Sequence, residues 1–415
     1  MFRAALLLLA PAVFVLLQLT AASQWTFFPD SYRYARAAEQ YLGESRTQAH
    51  RTALAAFCAS RADQAAAASR LDPLGESPGV VKGEDEKRCL ARWADAVDIT
   101  TGDPRYQAIF SSRPGYPLVA APFVGAFGVL RGMRLLGLLT AAGGSLMVAG
   151  LLRGAGLSWR GAVGGQVAFL ASPLGWWSMQ ALGEGLFTLC SFGALWGAVL
   201  LFRRRPAAGG SVMAASLALG AVTRYSSILV LAALLAAVAV AAAAFSRRLR
   251  HSGTALLAAM CGTATLATAA AMRLLGLPSS EITLQDTFTR HFRHPDVPDP
   301  WGRLFALAGR FWTHWFAEQA AMPYFLLLTA LAAWALVTYG AGLGWPVLAA
   351  AVTGAVLVTG HPLAQEAGRL GVLMWTPVVL GLPLLLEPRA VSSRVGVAVG
   401  RFTGELQDSA HSTGG

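Results

Sequence analysis

Asp30, Glu184, Arg224, His361, Gln365, Glu366 and Arg369 stand apart in this chain, because each borders or interrupts a long apolar block. Ionisable groups near membrane depth are costly, so they usually face a cavity and a partner. Two or three carboxylates beside two arginines suit the chemistry of a phosphate-linked lipid. A carboxylate can take a hydroxyl proton, and a guanidinium can hold a phosphate with paired hydrogen bonds.

Each position also has a plainer role. Asp30 follows Trp25, Phe27, Phe28 and Pro29 and precedes Ser31-Tyr32-Arg33. It is either a general base at a membrane surface or the N-cap of the helix that follows. Glu184, in Gly183-Glu184-Gly185, is either a catalytic or metal-binding carboxylate or a favourable charge at a helix start. Arg224 interrupts more than thirty apolar residues; it is a phosphate clamp or a snorkelling arginine at a turn between two spans. Arg369 lies three residues after Glu366 and is a second phosphate ligand or half of a local ion pair. His361, before Pro362, is a nearby ligand or an interfacial residue.

Other polar groups point less clearly to a site. Arg290, His291, Arg293, His294, Asp296 and Asp299 fit no metal-ligand spacing, and Pro295, Pro298 and Pro300 predict an extended loop there. Trp312, Trp315 and Phe316 read as an interfacial aromatic belt. There is no Walker A, GxSxG, HExxH or CxxC motif, which removes support for ATP-driven transport, serine hydrolysis and zinc proteolysis. Cys190 and Cys261 lie in apolar blocks. Cys58 and Cys89 lie in the large polar segment, as a disulfide if that segment is extracytoplasmic or as two free thiols.

The elements that must position these residues are apolar helices. Of 415 residues 55% are hydrophobic and 13% charged, about half the charged share of a soluble domain (~25%). Mean hydropathy is +0.51. The net charge of +11 does not signal nucleic acid, because arginines cluster at the ends of apolar blocks: Arg203–Arg205, then Arg247, Arg248 and Arg250. That is the pattern that orients membrane proteins with basic loops in the cytoplasm. The Ala, Arg and Gly bias, with Lys only at Lys82 and Lys87 and no Asn, points to a GC-rich bacterial genome and a plasma-membrane location.

Residues 1–22 are a first span or a cleaved signal peptide. Residues 23–134 form a first extracytoplasmic loop with an amphipathic surface helix at 31–42, closed by Gly43. Residues 116–130 are a short juxtamembrane helix. Spans follow at 135–152, 162–173, 186–202, 211–223, 226–245, 255–275, 324–339, 345–360 and 370–386, with a second outer loop at 277–322. Residues 1–404 thus make one all-α, polytopic domain of about ten spans, with a disordered tail at 405–415. This topology gathers the isolated polar residues at the outer ends.

In that order and sidedness the chain resembles the GT-C superfamily of membrane glycosyltransferases. The likeness covers roughly residues 1–230. It rests on Phe28-Pro29-Asp30-Ser31-Tyr32-Arg33-Tyr34, Arg113-Pro114-Gly115-Tyr116-Pro117, the stretch from Ser172-Pro173 to Glu184-Gly185-Leu186-Phe187, and Thr223-Arg224-Tyr225. It implies a GT-C-like bundle and an inverting transfer of sugar from a polyprenyl-phosphate donor to an extracytoplasmic hydroxyl on a glycan, lipid or protein. Asp30 and Glu184 would be the catalytic acids. Tyr32, Tyr34, Arg224, Tyr225, His361, Glu366 and Arg369 would bind substrate, and a divalent cation, Mg or Mn, is the open cofactor. The chain lacks the Asp-Glu pair of protein O-mannosyltransferase-like members. The alternatives are a transporter or flippase for a lipid or small solute, and an inactive relative acting in assembly.

Overall fold

The structure, a computed structural model, describes residues 2–20, 25–72, 82–340 and 342–387. It is all-helical, with no strand among the described residues. Four helices are long and apolar enough to cross a membrane: Val129–Gly154, Gly183–Phe202, Pro206–Phe245 and Ser252–Leu274. Two bent pairs raise the number to six: Pro300–Ala321 with Tyr324–Tyr339, bent by 89°, and Ala364–Leu370 with Val372–Leu386, bent by 55°. Length and composition therefore give four to six spans, fewer than the ten expected. Residues 162–173 and 345–360 fall in the shorter helices Trp159–Ala171 and Gly344–Gly360.

Residues 211–223 and 226–245 share one 40-residue helical stretch, Pro206–Phe245, broken at Arg224 (φ −150°, ψ 72°). A straight helix of that length would run ~60 Å, twice the hydrocarbon core. It is not straight. The side chain of Ile228 lies where a Cβ on Gly220 would be, 2.7 Å from it, although eight residues of straight helix span ~12 Å. The chain therefore folds back at Arg224.

Helix Phe2–Thr20 rests on its neighbours through Gln166 Nε2, which donates to the Leu7 carbonyl (3.0 Å), and Arg134 Nη2, which donates to the Gln18 carbonyl (2.6 Å). The first polar segment is a packed helical cap rather than an open loop. It contains Pro29–Tyr41, Arg46–Leu71, Lys82–Trp93 and Pro104–Ser111. Tyr32, Phe57, Cys58 and Tyr116 lie in one buried cluster there, and a Cys58–Cys89 disulfide ties the second helix to the third. Gly43, with φ 98°, ends the first helix in a conformation that suits glycine.

In the helix at residues 31–42 the sequence pattern puts Tyr34, Ala38, Tyr41 and Leu42 on an apolar face and Arg33, Arg36, Glu39 and Gln40 elsewhere. Tyr34 and Ala38 are buried and Tyr41 and Leu42 exposed, while Arg33, against that pattern, is buried. The burial of Arg33 is set by an internal partner, Asp98, and not by periodicity. Arg389, Arg394, Arg401 and the tail after Gly404 lie outside the described residues.

Candidate functional site

Five of the residues singled out above meet in one ion network, although they come from four distant parts of the chain. Asp30 lies in the first turn of helix Pro29–Tyr41. It does not cap that helix, because the helix begins one residue earlier, and Phe28 N donates instead to Ser31 Oγ (3.0 Å). Its carboxylate is therefore free to face inward. Asp30 Oδ2 accepts from Arg369 Nη1 at 2.8 Å, and Oδ1 accepts from Arg33 Nη1 at 3.4 Å.

Glu184 sits in the first turn of helix Gly183–Phe202, where its charge complements the helix dipole. Its Oε1 lies 2.7 Å from Arg224 Nη1 and 3.3 Å from Arg369 Nε. The backbone break at Arg224 ends one helix and begins the next, and so brings that guanidinium to Glu184. Glu366 Oε2 completes the set at 2.6 Å from Arg369 Nη2. Arg369 thus touches three carboxylates, and it is mostly buried, with 17% of its side chain exposed.

Behind this set stands a second layer that sequence reasoning missed. Arg33 Nη2 donates to Asp98 Oδ1 (2.8 Å) and Thr100 Oγ1 (2.5 Å), and its guanidinium lies over the rings of Tyr106 and Phe110. Arg36 Nη1 lies 3.4 Å from Asp98 Oδ2. The position of Arg33, three residues after Asp30, was the one available signal, since that spacing places both on one helix face. Asp98 had none. Arg113 is also close enough to act electrostatically on Asp30 and Tyr34. Its Nε is buried without a hydrogen-bond partner, and its guanidinium makes no ion pair among the described residues.

Burial pushes the Asp30 carboxyl up, but Arg369 and Arg33 outweigh burial and hold it below its ordinary value. Burial and the Arg369 charge hold the His361 imidazole down, so it is neutral at pH 7. His361 Nδ1 pairs with Thr287 Oγ1 at 3.0 Å, beside the network rather than in it. Tyr34 is buried against Tyr116, with its hydroxyl facing Gly183 next to Glu184.

Two tyrosines lie apart from the network. Tyr32 is fully buried in the cap, its hydroxyl 2.6 Å from His50 Nδ1. Tyr225 donates to the Pro278 carbonyl at 3.1 Å. Each hydroxyl is thus engaged within the protein, away from the five-residue network.

A divalent cation does not fit these residues. Asp30, Glu184 and Glu366 are all committed to arginines, and among the described residues no three His, Cys, Asp or Glu side chains gather where they could hold a metal ion. The 290–299 cluster serves as a strap. His291 pairs with Asp286, Arg105 with Asp296 (2.8 Å), and Arg293 donates to the Thr100 carbonyl.

A groove of about 530 Å³ runs beside the network, lined by Phe14, Gln18, Trp176, Trp177, Gly368 and Trp375. Gly368, which lines it, directly precedes Arg369, and Trp177, which also lines it, packs on Phe28, two residues before Asp30. No ionised side chain lines the groove itself, and its lining is largely apolar.

The fold and site together describe an all-helical protein with several apolar helices long enough to span a membrane, consistent with a membrane protein. No protein-family model, curated protein or solved structure matches this chain.

Proposed function

We propose that this chain is a membrane glycosyltransferase of inverting, GT-C-like type, with a polyprenyl-phosphate sugar as donor and an extracytoplasmic hydroxyl on a glycan, lipid or protein as acceptor. The observation that carries this reading is Arg369 bridging Asp30, Glu184 and Glu366, with Arg224 on the other side of Glu184. That arrangement sets a candidate base beside candidate phosphate ligands. The largely apolar groove lined by Gly368, the residue before Arg369, supports a lipid-linked donor, since it would seat an isoprenoid chain near the network.

In this reading the donor phosphate competes with the carboxylates for Arg369 and Arg224, and Arg113, which has no ion pair among the described residues, can join them. As Arg369 turns to the phosphate, Asp30 loses the cation that holds its proton affinity down, and becomes a better base. Asp30 takes the proton of the acceptor hydroxyl, the oxygen attacks the anomeric carbon from the face opposite the phosphate, and the bond from that carbon to the phosphate oxygen breaks. The arginines stabilise the charge that grows on the leaving phosphate.

The test is transfer in membranes. Purified protein is given radiolabelled polyprenyl-phosphate mannose, arabinose or glucose with a crude envelope acceptor, beside Asp30→Asn. Label transfer lost in the variant, with expression unchanged, is the expected result. Normal turnover by Asp30→Asn would remove Asp30 as base.

One feature favours a second reading, a lipid or solute transporter. The helix broken at Arg224, in the ion network, and the bend between Leu370 and Val372 resemble the discontinuous helices of transporter sites. No transfer from any donor, combined with movement of labelled lipid across reconstituted vesicles, would select it.

A further inference from the structure

At the far end of the bundle lies a second polar cavity that the proposed transfer does not use. Helix Gly183–Phe202 starts at Glu184's turn and ends beside it, so its length alone puts the two sites ~28 Å apart. The cavity measures about 620 Å³ and is walled by Arg203, Arg204, Arg248, Ser246, Leu249 and Trp345. These residues come from three separate connections. They follow helix Gly183–Phe202, follow helix Pro206–Phe245, and open helix Gly344–Gly360. No carboxylate lines it.

Basic residues at helix ends are expected of any membrane protein oriented by charge. Three observations here go further. First, Arg203, Arg204 and Arg248, from two separate connections, line one solvent-open concavity. Second, two of them are uncommitted. Arg203 donates to the Ala155 carbonyl and Arg250 caps Ala243 and Ala244, but the guanidiniums of Arg204 and Arg248 make no hydrogen bond or ion pair among the described residues. Third, Arg204 is held with φ 57°, a left-handed conformation that is unfavourable for a non-glycine residue. Glycine would relieve that cost, yet an arginine stands there.

We infer that this cavity binds the phosphate of an anionic membrane phospholipid. Arg204 and Arg248 supply paired hydrogen bonds to the phosphate oxygens, Ser246 can add a hydroxyl donor, and Trp345 is the kind of residue that sits at headgroup level. The acyl chains have a place to go. Val240 and Phe245, on the helix that ends at the cavity, are 62% and 83% exposed, so an apolar surface continues from the cavity into the bilayer. Basic pockets between helices on the cytoplasmic side are known to take such head groups.

The experiment compares thermal unfolding of the full chain in nanodiscs of phosphatidylcholine alone with nanodiscs containing 20 mol% (a chosen test composition, ~1 in 5 lipids) phosphatidylglycerol. Three proteins are compared: wild type, Arg204→Ala/Arg248→Ala, and Arg205→Ala/Arg247→Ala. The last pair removes the same charge from the same two connections but does not line the cavity. The expected result is an upward shift of the unfolding midpoint with anionic lipid in wild type and in the control pair, and its loss in Arg204→Ala/Arg248→Ala. Equal loss in both pairs would reduce the effect to bulk surface charge and overturn the site. No shift in wild type would overturn it as well. A further arm adds inorganic phosphate to phosphatidylcholine discs. An equal, saturable shift there would reassign the cavity to a free phosphate and overturn the lipid.

Discussion

Arg369 meets Asp30, Glu184 and Glu366, so its removal leaves more charge uncompensated than the loss of any one acid. Arg369→Ala is expected to destabilise the protein by ~3–5 kcal/mol, the usual cost of stranding buried partners. Arg369→Lys keeps the charge but cannot reach three carboxylates with a planar fork, and should recover less than half of that loss. Denaturation in detergent, followed by tryptophan fluorescence, measures both. A Lys variant as stable as wild type would mean that charge alone, and not fork geometry, holds the network. His361 gives a pH test. Its imidazole titrates lower in the folded protein than in the unfolded chain. Above about pH 7 both states are neutral and the residue has no effect. As pH falls through the unfolded value of about 6.5, the unfolded chain takes up the proton first, so stability drops by at most ~1.4 kcal/mol per pH unit. His361→Gln should flatten the change between pH 7 and pH 5, and an unchanged slope would show that other groups set it. Asp30 acts in the same direction, in a lower pH window. Its depressed carboxyl keeps the ion pair intact above about pH 4 and loses it only as pH falls through the folded value. At this scale the sequence exposed isolated charges in apolar blocks, because such residues have few neutral explanations. It could not expose Asp98, an ordinary acid in a polar stretch whose partner Arg33 lies 65 residues away, nor show that Tyr32 and Tyr225 spend their hydroxyls on His50 and Pro278.

Two close approaches between elements hold the site together. Helix Gly115–Phe127 packs its first residue on Thr223, beside the break that presents Arg224. A Cβ at position 115 would lie 2.7 Å from Thr223 Oγ1 and 2.8 Å from Thr223 N. Gly115→Ala therefore pushes backbone from backbone, with an expected cost of ~1–3 kcal/mol, and moves Arg224 relative to Glu184. Transfer activity should fall more than expression, whereas Gly262→Ala, where a Cβ meets nothing within 4 Å, should leave both unchanged. The second approach is covalent. The Cys58–Cys89 bridge closes a loop of 31 residues in sequence separation, which in the chain-entropy model contributes ~3–4 kcal/mol to the cap. Replacing both cysteines by serine should raise proteolytic cleavage within helices Arg46–Leu71 and Lys82–Trp93 while the apolar helices stay protected. Helix ends were readable where local chemistry marks them, as with Gly43 at its positive φ. The burial of Arg33 in helix Pro29–Tyr41 was not, because an arginine that finds a partner acid in the cap behaves as an interior residue. The return of the chain at Arg224 was readable from a charge within an apolar run too long for one bilayer crossing.

At the scale of the whole molecule, orientation decides whether the proposed chemistry has access to its substrates. Two features that do not depend on each other agree about it. Arg153, Arg203, Arg204, Arg205, Arg247 and Arg248 follow the apolar helices at the end away from the ion network, and the positive-inside pattern predicts that this end faces the cytoplasm. The cap at the other end carries a disulfide, and disulfides persist in oxidising compartments outside the cytoplasm. A cysteine placed at exposed Arg290, in the strap over the cap, should therefore react with a membrane-impermeant maleimide in intact cells. A cysteine at exposed Arg205 should react only after the membrane is permeabilised. The native background is silent, since Cys190 and Cys261 are buried and the other two are bridged. Labelling in the reverse order would put Asp30, Glu184 and Arg369 on the cytoplasmic side. The disulfide would then sit in a reducing compartment, and the extracytoplasmic acceptor would lie beyond the reach of the site.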